Sequence, residues 1–259
     1  MTAEPWTHAR HCDAAEAETA AFAAGLEGAD PDLPVPSCPG WSVADLATHL
    51  GGTQRWAEGI VRTGAQERRS RRDLGVTFPA EPGEILSWYV DGGERLIKTL
   101  RAADGDRPVW GWGPDPHVRF WSRRMLYETL VHRCDLDIAL GREPVIDARI
   151  AVDGIDELLA NLRSAAGFAP KVDHLRGDGT ALAFVAADAG IRWTFRMWPD
   201  RFEWTPEPFE DAGKADAAVR GDAADVYLFL WGRRKLGDPR LDFSGDDALL
   251  IHWVENSAI

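Results

Sequence analysis

The 259-residue chain is short of cysteine, of positive charge and of long hydrophobic runs, and each shortage excludes a class of protein. Three cysteines, at positions 12, 38 and 134, are too few and too scattered for a disulfide framework, and no CxxC pair is present for a zinc ribbon. Basic residues number 29 against 42 acidic ones, and this formal net charge of −13 argues against nucleic acid or an anionic membrane as partner.

Neither a membrane span nor a signal peptide is visible in the sequence. The strongest apolar run, at 227–231, is far shorter than the roughly 18 residues that a transmembrane helix needs. The first residues carry acids where a signal peptide would carry basic and then apolar side chains. We therefore expect a soluble protein of a reducing cytoplasm, with no membrane partner.

The first two-thirds of the chain has apolar residues at helical spacing. This spacing predicts helices over 11–26, 43–62, 83–103, 118–140 and 147–166. The second has the clearest start, because Ser42 is a good N-cap and Asp45 follows three residues later, as in a capping box. Its Gly51-Gly52 pair weakens a helix and needs a local reason, such as close packing or ligand access. The Arg-rich segment 64–83 reads as a loop.

After Pro170 the pattern changes to short strands. Strand-like segments lie at 180–187, 191–198, 201–205 and 215–221, and a helix capped by Asp222 and a final helix ending near Ser257 follow. The predicted fold class is α+β: an up-and-down four-helix bundle over 1–168, and a small α+β domain over 172–259. The order of strands and helices in the second domain resembles that of sterol-carrier-like folds.

Glu128 and His132 are four residues apart on one predicted helix, so their side chains share a face. His49 lies on the inward stripe of the second helix and is the natural third ligand for zinc or a similar divalent ion. Two histidines and one glutamate would leave a fourth position open, as in catalytic zinc sites. Two plainer readings stay open, since such Glu–His pairs are common on solvated faces and a histidine on an apolar stripe is more often a core residue.

Four segments carry a resemblance to a known family: CPGWSVADLATHLGG at 38–52, YETLVHRCDLDIALG at 127–141, AVDGIDELL at 151–159 and DAADVYLFLWGRR at 222–234. They resemble the mycothiol-dependent maleylpyruvate isomerase family, a branch of the DinB-like four-helix metalloproteins with a C-terminal α+β domain. The resemblance covers the whole chain and implies that His49, Glu128 and His132 bind zinc or another divalent metal. The family's usual HRWD reads HRCD here, with Cys134 in place of tryptophan.

The resemblance also implies the chemistry. The small thiol mycothiol, held on the metal, adds to a small electrophile. In the isomerase the adduct rotates and expels the thiol, whereas in relatives the thiol stays on, as in an S-transferase. The cysteines of the chain read as small apolar residues, so that the thiol is expected to come from the cosubstrate.

An anionic substrate such as a diacid would need a cationic anchor, for which arginine is suited. Arg233, which follows a glycine at a helix end, is the candidate catalytic residue; Arg234, Arg55 and Arg124 are further candidates. For Arg233, a helix-end charge that stabilises the macrodipole is an equal alternative. Asp135 could orient a metal ligand or pair with an arginine.

The rival function is a non-enzymatic small-molecule-binding protein. In it the metal is structural or absent, and the α+β domain holds an apolar ligand. The sequence offers no obvious fourth ligand near the three, which favours the enzyme. A DNA-damage activity, suggested by the DinB name, finds no basic surface here. No oligomeric state is predicted.

Overall fold

The structure is a computed structural model that describes residues 6–209 and 214–259. Its helical first part and its five-stranded sheet with further helices are an α+β arrangement, which confirms the predicted fold class. None of the helices in these ranges combines the length and the hydropathy that a membrane span requires. The α-helices are α1 His8–Leu26, α2 Val43–Thr63, α3 Ile85–Ala102, α4 Val118–Ala139, α5 Ala148–Ala165, α6 Ala223–Leu230 and α7 Asp247–Asn256. The strands are β1 Ala181–Ala186, β2 Ile191–Met197, β3 Phe202–Pro208, β4 Ala217–Gly221 and β5 Asp242–Gly245.

The chain divides into two compact units, of which the first ends at Pro144 and the second begins at Val145. The first unit holds α1 to α4. Helix α1 packs against α3 and α4, and α2 packs against the same two helices, which makes a four-helix bundle. All four helices lie within a few residues of their predicted bounds, because each has a long apolar stripe and a recognisable start or stop signal.

Helix α5 belongs to the second unit. The observed boundary at Pro144 therefore differs from the predicted one, which lay after residue 168. Helix α5 packs against α6, and the indole Nε1 of Trp193 on β2 donates a hydrogen bond to Oδ1 of Asp156 on α5 at 2.6 Å. An amphipathic stripe predicts that a helix is covered on one face but not which element covers it. The predicted boundary followed the change from helices to strands, whereas the observed division lies one helix earlier.

The second unit is built on a five-stranded sheet of order β3-β2-β1-β4-β5. Strand β1 pairs antiparallel with β2 and parallel with β4, and the other pairs are antiparallel. Phe184 and Phe195 of the sheet pack on Trp253 of α7, with ring centroids 4.8 and 4.9 Å away. The edge strand β5 was not predicted, because its four residues are largely exposed and lack an apolar alternation.

Helix α2, which carries His49, begins as predicted. The backbone N–H of Asp45 donates to Oγ of Ser42 at 3.2 Å, and the N–H of Ser42 donates to Oδ2 of Asp45 at 2.9 Å, which completes a capping box. The reason for the Gly51-Gly52 pair is close packing. A Cβ at Gly51 would overlap the ring of Trp88, and one at Gly52 would lie 2.8 Å from Cε1 of Phe78.

Candidate metal centre

Helices α2 and α4 bring His49, Glu128 and His132 together. One ligand atom of each lies within 4.8 Å of the others. Nε2 of His49 is 3.2 Å from Oε1 of Glu128, and Nε2 of His132 is 3.6 Å from the same oxygen. The pair on α4 shares a face because one helical turn separates the two residues, whereas His49 reaches them because α2 packs on α4.

This donor set fits a divalent metal of the zinc type. Two imidazole nitrogens and one carboxylate oxygen converge, and two histidines with one glutamate form a known set of catalytic zinc ligands. In the part of the chain that the structure describes, no fourth protein ligand joins this cluster. An open coordination position is what a metal that activates a small ligand requires.

A second group supports His132 from the other side of its ring. Nδ1 of His132 is 2.9 Å from Oδ2 of Asp135, and Sγ of Cys38 donates to the same carboxylate oxygen at 3.4 Å. Because a carboxylate only accepts hydrogen bonds, it fixes the proton on Nδ1 and leaves Nε2 for the cluster. Asp135 therefore orients His132, which is one of the two roles that the sequence suggested for it. Cys38 is hydrogen-bonded to the same carboxylate.

The charges of the cluster are tightly coupled. Burial alone would raise the pKa of Glu128, but hydrogen bonds to His132 and His49 and the charge of Arg124 hold that pKa well below its ordinary value. Burial alone would lower the pKa of His132, but its hydrogen bonds to Asp135, Cys38 and Glu128 raise it to about 10. Glu128 and His132 therefore stabilise each other's charged forms, and because a metal-binding imidazole must be deprotonated, a metal would compete with this pairing.

Trp41 covers the two histidines. Its ring centroid lies 4.8 Å from that of His49 and 6.2 Å from that of His132, and the two imidazole centroids are 5.1 Å apart. The indole follows directly on the Pro39-Gly40 turn that precedes α2. It therefore gives the cluster an apolar wall on one side.

Three of the four arginines proposed as substrate anchors already hold carboxylates. Arg124 donates from Nη2 to Oε2 of Glu128 at 3.0 Å. Arg55 donates to Oδ2 of Asp91 at 3.1 Å, and Arg234 donates from Nε to Oδ1 of Asp225 at 2.9 Å. Each of these three arginines thus already has a carboxylate partner within its own unit.

Arg233 lies just after α6 in the second unit. Its Nη1 donates to the carbonyl oxygen of Trp231 at 2.6 Å, and the residue lines a cavity of about 450 Å³ together with Leu236 and Val254. A catalytic role for Arg233 stays a prediction.

Arg71 lies in the segment predicted only as an Arg-rich loop, and no feature of the sequence singles it out. The side chain is half-buried, and its Nη2 donates to Oγ1 of Thr53 at 2.9 Å. The Thr53 hydroxyl in turn donates to the carbonyl oxygen of His49, one helical turn earlier, at 2.9 Å. Four arginines occur between 68 and 72, and nothing in their spacing distinguishes the one that folds back onto α2.

The fold and this cluster define a two-unit protein whose helical bundle carries a candidate metal centre. Residues 12–137 match the family model of the mycothiol maleylpyruvate isomerase (MDMPI) N-terminal domain, and residues 149–252 match the family model of the MDMPI C-terminal domain. The chain therefore belongs to the mycothiol maleylpyruvate isomerase family, a family of enzymes.

Solved structures agree with this family in fold. A crystal structure of the mycothiol-dependent maleylpyruvate isomerase aligns with a TM-score of 0.64 at 15% identity, covering 92% of this chain and 93% of that one. A mutant of that enzyme in which alanine replaces a histidine aligns with a TM-score of 0.59 at 14% identity over the same shares. No curated protein sequence matches the chain.

Proposed function

We propose that this protein is a zinc-dependent enzyme that activates mycothiol for addition to a small electrophile, either as an S-transferase or as a maleylpyruvate-type cis–trans isomerase. The observation that carries the proposal is the convergence of His49, Glu128 and His132 in a member of this family. The proposed location is a reducing cytoplasm, which suits a small-thiol cosubstrate and three cysteines of which none forms a disulfide.

The three ligands suit this chemistry by their charge. Two neutral imidazoles and one carboxylate would leave a bound zinc ion with a net charge of plus one, which favours an anionic fourth ligand. A bound metal lowers the pKa of a coordinated thiol, so that the nucleophilic thiolate exists at neutral pH. Asp135 holds the Nδ1 proton of His132, and Trp41 excludes water from one side of the cluster.

Cys12 and Cys134 are poor nucleophiles. Burial raises the pKa of Cys12 to about 11 and that of Cys134 to about 12. Both side chains are therefore thiols rather than thiolates at neutral pH, and neither belongs to the cluster of His49, Glu128 and His132. The nucleophile is accordingly assigned to the cosubstrate.

Metal analysis and a thiol-consumption assay test the proposal together. We expect about one zinc ion per chain of purified protein, by analogy with three-ligand catalytic sites. We also expect metal-dependent loss of free mycothiol or isomerisation when maleylpyruvate or a neutral electrophile such as N-ethylmaleimide is supplied.

Substitution of one ligand identifies the site. His49→Ala should lose the metal and the thiol-dependent activity while keeping its helical circular dichroism, because a single ligand contributes little to the bundle core. The control is His174→Ala, which removes an exposed histidine outside the cluster and should keep both. Full metal content in His49→Ala would show that the ion binds elsewhere. Metal without any thiol reaction would favour the non-enzymatic binding protein.

A further inference from the structure

Arg71 is a half-buried cation with an unusual set of partners. Its guanidinium donates to the neutral hydroxyl of Thr53, and no carboxylate of the described residues forms an ion pair with it. A guanidinium has five N–H donors, so most of its hydrogen-bonding capacity is left for another group. By contrast, the half-buried Arg55 and the buried Arg124 each hold a carboxylate.

This arrangement costs free energy unless something compensates it. Burial lowers the pKa of Arg71 from its ordinary value, and the negative charge of Glu128 acts in the opposite direction. A charge that is partly withdrawn from water is usually paired with an opposite charge, because the pairing offsets the hydration free energy that is lost. The guanidinium of Arg71 therefore has N–H donors and a positive charge with which it can bind an anion.

The position of Arg71 ties it to the candidate metal centre. Thr53, which accepts from the guanidinium, follows His49 by four residues and so lies about one helical turn, roughly 5 Å along α2, from the ligand. The guanidinium also lies over Gly52, where a Cβ would be in ordinary van der Waals contact with Nη1 of Arg71 at 3.5 Å. Two hydrogen bonds through Thr53 thus link the guanidinium to the backbone of His49, and its positive charge would offset the repulsion that Glu128 exerts on a bound anion.

We propose that Arg71, held in place by Thr53, forms an anion subsite that binds a carboxylate of the electrophilic substrate next to the His49–Glu128–His132 cluster. The inference rests on the proposed function for the identity of the ligand. Mycothiol carries no carboxylate, so the anionic group belongs to the electrophile. A guanidinium binds a carboxylate through two parallel hydrogen bonds, which would fix the orientation of the substrate as well as hold it.

The direct test is calorimetric titration of the purified holoprotein with maleate, a small dicarboxylate, and with maleamide, its uncharged analogue. Arg71→Gln should weaken maleate binding about tenfold to a hundredfold, because charge-assisted hydrogen bonds are lost. Maleamide binding should not change. The matched control is Arg72→Gln, which removes a neighbouring but exposed arginine and should bind maleate as the wild type does.

A conservative variant guards against indirect effects. Arg71→Lys keeps the charge but not the two-pronged geometry, so we expect a smaller loss of maleate affinity than in Arg71→Gln. If Arg71→Gln does not fold, Arg71→Lys decides the matter by the same comparison with maleamide. Zinc content should equal that of the wild type in both variants, since Arg71 is not a ligand.

The outcomes separate this inference from the proposed function. Equal maleate affinity in the wild type and the Arg71 variants would overturn the subsite, even in an enzyme that consumes mycothiol. An equal loss for maleate and maleamide would also overturn it, because the effect would not depend on charge. Arg71-dependent maleate binding in a protein without thiol chemistry would keep the subsite and overturn the proposed function.

Discussion

Asp135 and His132 form a buried pair on α4, in which Oδ2 of the carboxylate lies 2.9 Å from Nδ1 of the imidazole. The other nitrogen of the same ring, Nε2, faces Oε1 of Glu128 at 3.6 Å. Glu128, His132 and Asp135 follow one another along α4 at spacings of four and three residues. A single helical face therefore carries a ligand pair and the group that orients one of its members.

The Asp135–His132 pair leads to a prediction about metal affinity. Asp135→Asn would allow its amide to donate to the imidazole and stabilise the wrong tautomer, so zinc affinity should fall roughly tenfold to a hundredfold. Competition with a chromogenic chelator measures this change. Asp137→Asn, which alters a carboxylate bonded to Arg133 instead, is the control and should retain its affinity. Equal affinity in the two variants would mean that Asp135 does not orient the ligand.

The reactivity of the cysteines follows from their burial. With pKa values raised to about 11 and about 12, the thiolate forms of Cys12 and Cys134 are scarce at pH 7.5. In the native protein a thiol reagent should therefore label Cys38 at most, and the other two only after denaturation. Labelling followed by mass spectrometry gives the sites. Rapid labelling of Cys134 in the folded protein would contradict the structure.

The glycine pair of α2 predicts a stability effect. Gly51→Ala places a methyl group against the ring of Trp88, and this overpacking should lower the free energy of unfolding by about 1–3 kcal/mol. Gly83→Ala is the control, because a Cβ at Gly83 meets no atom within 4 Å and should change stability by less than about 0.5 kcal/mol. Urea denaturation of both variants compares them. A Gly51→Ala protein as stable as the control would refute close packing as the reason for the glycine.

Limited trypsin digestion distinguishes the two domain boundaries. We propose that the division lies between α4 and α5, where Arg142 is exposed; the boundary predicted from the sequence has an exposed Lys171 instead. The readout is the N-terminus of the C-terminal fragment. It should begin at Glu143, whereas a stable fragment that begins at Val172 would favour the sequence-based boundary.

Much of the secondary structure was predictable because its signals are local. The Ser42–Asp45 capping box places the start of α2 within a single turn of chain, and the spacing of Glu128 and His132 places both on one face of α4. The short strand β5 was missed because its residues carry no such local signal.

Local sequence patterns predicted the helices of the bundle and the class of the second unit, and the resemblance to a family predicted the three candidate ligands. The packing of the whole chain places Nε2 of His49 3.2 Å from a carboxylate 79 residues away, α5 on α6, and Arg71 against Thr53. Helix starts and faces depend on neighbours within a few residues. Contacts between elements depend on which apolar surfaces meet when the whole chain is packed, and no local spacing encodes that choice.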